Sequence, residues 1–306
     1  MTKVLIATEK PFSNQAVSEV KQVFNAAGYA LEMLEQYEDK AALIDAVKGV
    51  DALIIRSDKI DADVIDAADE LKIVVRAGAG YDNVDLSAAT AKEVTVMNTP
   101  GQNSNAVAEL AFGMLVYLNR NGFNGTAGTE LRGKKLGIHA YGYVGRIVAS
   151  IARGFGMEVF AFDPFVDDVL IKNDGVTCLG SAEELYETCQ FISLHIPAND
   201  QTRGSINEKM LMSMPDGATL VNTARKEVID EEGLLKVMEN RNDFRYLSDI
   251  APDCKDDFID KYEGRYFFTP KKMGAQTAEA NLNAGVAAAK QIVGFIEEGD
   301  TTFKVN

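Results

Sequence analysis

The chain has 306 residues, enough for about two domains, and its 46% hydrophobic content is that of an ordinary soluble globular protein. A formal net charge of −15 excludes the basic footprint that nucleic acids and anionic membranes require, so any anionic ligand must be gathered by a local cluster of cations. The cysteines, Cys178, Cys189 and Cys254, lack the spacing of disulfide or zinc frameworks. The start MTKVLIATEK has too short an apolar run for a signal peptide, and no stretch approaches the ~20 apolar residues of a membrane span. A cytoplasmic protein without metal is expected.

In chain order, apolar runs predict strands at Val4 to Ala7, Leu31 to Leu34, Ala52 to Ile55, Ile73 to Arg76 and Thr95 to Met97, separated by amphipathic helical stretches. The breaker Asn98-Thr99-Pro100-Gly101 precedes a long apolar helix from about Ser104 to Asn119. A Gly- and Asn-rich connection, Asn121 to Gly133, comes next and reads as the crossing between domains. Further strands are predicted near Lys135 to Ile138, Val159 to Phe162, Phe191 to Leu194, Thr219 to Asn222, Arg245 to Ser248 and Phe267 to Thr269. An alanine-rich helix from Thr277 to about Glu298 is expected to return to the first domain. Strands alternating with helices throughout predict an α/β protein of two doubly wound parallel sheets. The domains are drawn at residues 1–99 plus 283–306, and 100–282.

The stretch LGIHAYGYVGRIVASIARGFGMEVFAFD, Leu136 to Asp163, carries the most chemistry. It reads as strand, glycine turn, helix, strand and terminal acid, the order of a dinucleotide-binding βαβ unit. Gly142 leaves room for a pyrophosphate, Gly145 lets the helix pack closely on the strand, and the first-turn N–H groups of Tyr143, Val144 and Gly145 face the phosphates. Ala140 stands where G-x-G-x-x-G has its first glycine. Asp163, 18 residues beyond Gly145, suits the adenosine ribose hydroxyls and would repel a 2′-phosphate; the next cation is Lys172. NAD is therefore favoured over NADP.

Further motifs coincide in order: RAGAGYDNVD (Arg76 to Asp85), NTPGQNSNAVAEL (Asn98 to Leu110), SLHIP (Ser193 to Pro197), NTARKEVIDEEGL (Asn222 to Leu234), SDI (Ser248 to Ile250) and TPKKMGAQT (Thr269 to Thr277). Together they resemble the D-2-hydroxyacid dehydrogenase family over nearly the full length, most closely its short phosphoglycerate-oxidising members. The resemblance implies two Rossmann-like domains with the active site in a cleft, the outer segments forming the substrate domain and the middle the NAD domain. It also implies a phosphorylated 2-hydroxy acid as substrate, a place at the entry to serine synthesis, and a homodimer.

Residue by residue, Arg225 matches the family's arginine, which pairs with the substrate carboxylate and stabilises charge on the reacting oxygen. Lys226 and Glu227 replace residues that are more often glycine. Pro197, Thr223 and Asp249 fall at cofactor positions, Asp249 at the nicotinamide carboxamide. The family's acid/base histidine lies in TPHIGA; here alignment on Gly274-Ala275 puts Lys272 at that position with Lys271 inserted. The histidine's glutamate partner is absent from the stretch after Asp249. An ammonium with an ordinary pKa near 10.4 needs no carboxylate to raise it, so the two losses belong together. Lys272 must be neutral to accept the hydroxyl proton, which predicts an alkaline optimum for oxidation. Two alternatives stay open: Lys272 as an anion clamp, and Lys271 in its place. His195 and His139 are read as structural.

For the substrate, the turn Gly78-Ala79-Gly80 offers backbone N–H groups as a carboxylate nest. Arg56, Ser57, Lys59 and Arg76, at consecutive strand ends, form a cluster suited to phosphate. Asn103 is assigned to the substrate across the hinge. The rival readings are a dehydrogenase of an unphosphorylated acid such as glycerate or lactate, and an NAD-sensing binding protein of corepressor type.

Overall fold

The computed structural model describes residues 1–306, which divide into two compact units, Met1–Asn103 with Gln276–Asn306, and Ser104–Ala275. In the first, β1 (Lys3–Thr8), β2 (Ala30–Glu35), β3 (Ala52–Ile55), β4 (Ile73–Arg76) and β5 (Thr95–Asn98) form one parallel sheet in the order β2-β1-β3-β4-β5. The helices between them are α1 (Asn14–Ala27), α2 (Lys40–Ala46), α3 (Ala62–Ala67) and α4 (Leu86–Ala91). Strands β3 and β5 are buried at every residue, as parallel strands covered on both faces must be.

In the second unit, α5 (Ser104–Asn119) precedes β6 (Lys135–His139), α6 (Tyr143–Gly154), β7 (Glu158–Phe162), α7 (Asp168–Asn173), β8 (Thr177–Cys178), α8 (Ala182–Thr188) and β9 (Phe191–Leu194). The chain continues through α9 (Glu208–Ser213), β10 (Thr219–Asn222), α10 (Glu231–Asn240), β11 (Arg245–Ser248) and β12 (Tyr266–Phe268). The sheet is parallel in the order β12-β11-β10-β9-β6-β7-β8. The helix α11 (Ala278–Glu298) belongs to the first unit, where Ala284, Ala288, Ala289 and Ile292 share a core with Phe12, Ala16, Val20 and Phe24.

The connection Asn121 to Gly133, expected as the crossing, lies inside the second unit. The cause is α5: its Ala108, Ala111, Phe112 and Leu115 pack in the core with Leu136, Ile138 and Val159, so the helix belongs with strands β6 and β7 rather than with β5. The two-residue strand β8 is not predicted from the sequence, because so short a run carries no periodicity.

Both sheets reverse their winding once, between β1 and β3 and between β6 and β9. Crevices outside the carboxyl ends of strands at such points are where open α/β sheets bind ligands. The sequence places its motifs there: Arg56 comes directly after β3, and the glycine turn directly after β6.

Candidate active site

The glycine turn keeps its geometry without its first glycine. Ala140 takes φ +78°, the left-handed conformation that the missing glycine would adopt freely, and it does so at a cost of ~1–2 kcal/mol. Its N–H bonds Phe162 O at 2.9 Å, and the next N–H, of Tyr141, donates to Asp163 Oδ2 at 2.7 Å. The acid at the end of β7 therefore fixes the turn after β6, and its Oδ1 accepts from Phe165 N at 2.9 Å. Gly142 caps α6 without any side-chain bond, so the first-turn donors of that helix stay available to an anion, and a Cβ there would meet open space. Gly145 differs: a Cβ would fall 2.4 Å from Ala140 O, so only glycine lets α6 lie this close to β6. In the same unit Thr223 is 7% exposed and its Oγ1 is buried without a partner, a hydroxyl held ready for a ligand. Pro197 is exposed at the end of the segment after β9. These features fit a dinucleotide.

Beyond β10, Asn222 is buried and shapes the loop of Arg225. Its Nδ2 donates to Arg225 O at 2.9 Å and its Oδ1 accepts from Ala224 N at 3.0 Å. Arg225 Nη1 donates to Ala224 O at 3.0 Å, and Lys272 Nζ donates to the same oxygen at 3.0 Å. The guanidinium and the amine, 47 positions apart in sequence, thus meet on one carbonyl. Lys271 and Lys272 both lie on an exposed segment. Lys226 pairs with Asp253 at 2.5 Å, which fastens the position after Arg225 to the loop beyond β11.

Asp249 is 2% exposed, and its carboxylate accepts three hydrogen bonds: Oδ1 from Thr269 Oγ1 at 3.0 Å and Met273 N at 2.6 Å, Oδ2 from Gly274 N at 2.7 Å. All three donors belong to the segment that carries Lys272. Burial disfavours the charged form of both His195 and His139. Burial pushes His195 down to about 3, with the charge of His139 adding to it, and burial pushes His139 down to about 4 against the pull of Asp163 and Glu183. His195 Nε2 sits 2.9 Å from Ser193 Oγ, and His139 Nδ1 3.3 Å from the buried Tyr186 hydroxyl.

In the first unit, the cluster beyond β3 and β4 comes together, with one surprise. Arg76 Nε donates to Arg56 O at 3.0 Å, and the Arg76 guanidinium lies against the Gly78 backbone. Gly78 N donates to Arg76 O at 2.8 Å, which leaves Ala79 and Gly80 as the donors of the nest. Arg56 is the surprise: Nη1 donates to Lys10 O at 2.8 Å and Pro11 O at 3.2 Å, Nη2 to Asn281 Oδ1, and the guanidinium stacks on Phe12 at 5.2 Å. It ties the segment after β1 to α11. Lys59 and Ser57 are exposed, and Asn103 is the last residue of this unit before α5. The sequence motifs do not reveal Asp58, a buried carboxylate accepting from Glu9 N at 2.7 Å, Arg56 N at 3.0 Å and Tyr37 OH at 2.9 Å. Nor do they reveal the service of Asn222 to Arg225; an Asn closing a strand before a turn is the available signal.

Comparison with known proteins agrees with this geometry. Residues 112–255 match the family model described as the NAD binding domain of D-isomer specific 2-hydroxyacid dehydrogenases. The chain is 36% identical over 293 residues to D-3-phosphoglycerate dehydrogenase of Rattus norvegicus, covering 90% of this chain and 54% of that one, so it spans about half the length of such relatives. It is 34% identical to the hydroxypyruvate reductase of Thermotoga maritima, covering 86% of this chain and 90% of the relative. A crystal structure of NAD+-bound 3-phosphoglycerate dehydrogenase from Entamoeba histolytica superposes with a TM-score of 0.91 at 45% identity, covering 100% of this chain and 98% of that chain. The chain belongs to the D-2-hydroxyacid dehydrogenase family, and its second unit carries that family's NAD-binding domain. No helix is long and apolar enough to cross a membrane.

Proposed function

We propose that this chain oxidises D-3-phosphoglycerate to 3-phosphohydroxypyruvate with NAD, Lys272 taking the hydroxyl proton and Arg225 holding the substrate carboxylate. The observation that carries the reading is the shared carbonyl: Arg225 Nη1 and Lys272 Nζ each lie 3.0 Å from Ala224 O. NAD, when bound, would supply the hydride acceptor for the carbon bearing the hydroxyl. The chain does the rest. Arg225 offers a planar pair of donors to a carboxylate and offsets charge on the adjacent oxygen. Lys272, on the same carbonyl as that guanidinium, is assigned to accept the hydroxyl proton, which it does as the neutral amine. In the first unit the N–H groups of Ala79 and Gly80, with Arg76, Ser57 and Lys59, are assigned to the anionic groups of the substrate, and Asn103 is retained beside them. Gly142, Tyr143, Val144, Gly145, Asp163, Pro197, Thr223 and Asp249 are assigned to NAD.

One observation favours a second reading, an unphosphorylated 2-hydroxy acid. Arg56 is committed to Lys10, Pro11 and Asn281, which weakens the phosphate cluster by one cation. The two readings separate in one assay. Protein with NAD and either D-3-phosphoglycerate or D-glycerate is followed at the NADH absorbance from pH 7 to 10. Turnover of the phosphorylated acid that rises with pH and falls at least 100-fold in Lys272→Ala supports the first reading. Preference for glycerate supports the second, and an unchanged Lys272→Ala rate overturns the assigned proton acceptor.

A further inference from the structure

The strands of the second unit run toward the glycine turn, Arg225 and Asp249 at their carboxyl ends, and a separate cavity of about 220 Å³ opens around their amino ends. Lys134 before β6, Phe191 of β9, Arg245 of β11 and Arg265 before β12 line it. Phe191 and Arg245 each pair in register with Thr219 of β10, so these three side chains stand side by side on one face of the sheet. It is the face that α5 covers, since Phe191, Val221 and Leu247 share a core with Ala111 and Leu115. The last residue of that helix, the buried Asn119, also lines the cavity and secures its rim: its Oδ1 accepts from Thr129 Oγ1 at 3.0 Å and its backbone O from Thr129 N at 2.8 Å.

The charges at this place do not balance within the chain. Lys134 and Arg245 are half-buried, and neither side chain has a hydrogen bond or an ion pair within the chain. Asp243, the one acid of the lining, is taken: it accepts from Arg241 Nη2 at 2.6 Å and from Gly217 N at 2.7 Å. Arg265 adds positive charge while it is fixed on carbonyls, donating to Phe244 O at 3.2 Å and to Met238 O and Arg241 O, each at 2.7 Å. Beside Arg245, Thr219 is 1% exposed and its Oγ1 is buried without a partner. In a chain of net charge −15, two partly desolvated cations without a counter-charge and an orphan hydroxyl therefore share one place. Each is unfavourable alone, and one anion would relieve the cations while giving the hydroxyl an acceptor.

We propose that this cavity is a binding site for a small phosphate-type dianion, held by Lys134 and Arg245 with the Thr219 hydroxyl as a further donor. The guanidinium offers the planar pair of donors that a phosphate accepts, and the ammonium supplies the second charge. The volume lies below the ~300–1,000 Å³ of drug-sized sites, so the occupant is inorganic phosphate or a phosphorylated acid of few carbons rather than a nucleotide. Arg245 and Asp249 open and follow the same strand, ~13 Å apart at ~3.3 Å per residue, so the site is distinct from the one assigned to NAD.

The test is calorimetric titration of the full chain with inorganic phosphate at constant ionic strength. Lys59→Ala serves as the background, because it weakens the cluster of the first unit and leaves this cavity intact. Phosphate should bind the Lys59→Ala protein, and adding Arg245→Gln or Lys134→Gln should raise the dissociation constant at least tenfold, Thr219→Val at least threefold. The NAD dissociation constant should change less than threefold in all of them, which also shows that they fold. Should Arg245→Gln fold poorly, Lys134→Gln, at a position before the strand, carries the same prediction. D-3-phosphoglycerate titrated into the same proteins separates the sources: binding tighter than that of inorganic phosphate and lost in Arg245→Gln assigns the site to a phosphorylated acid, and weaker binding assigns it to the free ion, both supporting the site. Absence of phosphate binding at 10 mM, or equal binding with and without Arg245→Gln and Lys134→Gln, overturns it. Succinate binding as tightly as phosphate overturns the class of ligand.

Discussion

Two histidines, His139 buried and His195 half-buried, should make this protein lose stability in mild acid, above the range where a paired carboxylate such as Asp243 titrates. His139 and His195 titrate at about 4 and about 3 in the folded chain and near 6.5 in the unfolded one. Between those values the unfolded state binds a proton at each site that the folded state refuses, so stability rises with pH there and falls as pH drops. The contribution is complete above ~6.5 and is lost progressively below it. At pH 5.0 the loss per histidine depends almost only on the unfolded value, ~1.5 pH units at ~1.36 kcal/mol each, or ~2 kcal/mol and ~4 kcal/mol for the pair. The carboxylates held low by partners, such as Asp243 at about 2 beside Arg241, lose their contribution nearer pH 4 and below. Urea unfolding at pH 7.5 and 5.0 should therefore show wild type losing ~4 kcal/mol, His139→Gln and His195→Gln each losing ~2, and the double variant almost none. Comparing each protein with itself cancels the packing cost of the substitution. A double variant that loses as much as wild type between the two pH values would refute the burial argument for both imidazoles.

Gly145→Ala sets a methyl 2.4 Å from Ala140 O and must push α6 off β6; it should destabilise the chain by ~1–3 kcal/mol in urea and weaken NAD at least tenfold by calorimetry. Arg56→Ala removes three charged hydrogen bonds and a ring stack that join Lys10, Pro11 and Phe12 to α11, and should cost ~2–4 kcal/mol of stability. Lys59→Ala, on an exposed position, should leave the unfolding midpoint within ~0.5 kcal/mol and raise KM for the phosphorylated acid selectively. Asn222→Ala frees Arg225 O and Ala224 N together, and should lower kcat/KM at least tenfold, with both kcat and KM affected.

The architecture was legible because both sheets are built from runs such as ALII at β3 and TLVN at β10, whose continuous burial matches their composition. The glycine turn was legible from Gly142, Gly145 and Asp163, though nothing in the letter sequence said that Ala140 would carry φ +78° or that Asp163 would bind the turn itself. Arg56 shows the limit of reading charge by position. A cation at a strand end resembles an anion site until the carbonyls of Lys10 and Pro11 and the amide of Asn281, 225 residues away, are found on it. Asp249 is the converse. Its family position points to the cofactor, and it also meets backbone N–H groups of the Thr269–Gly274 segment, which no residue-type pattern records.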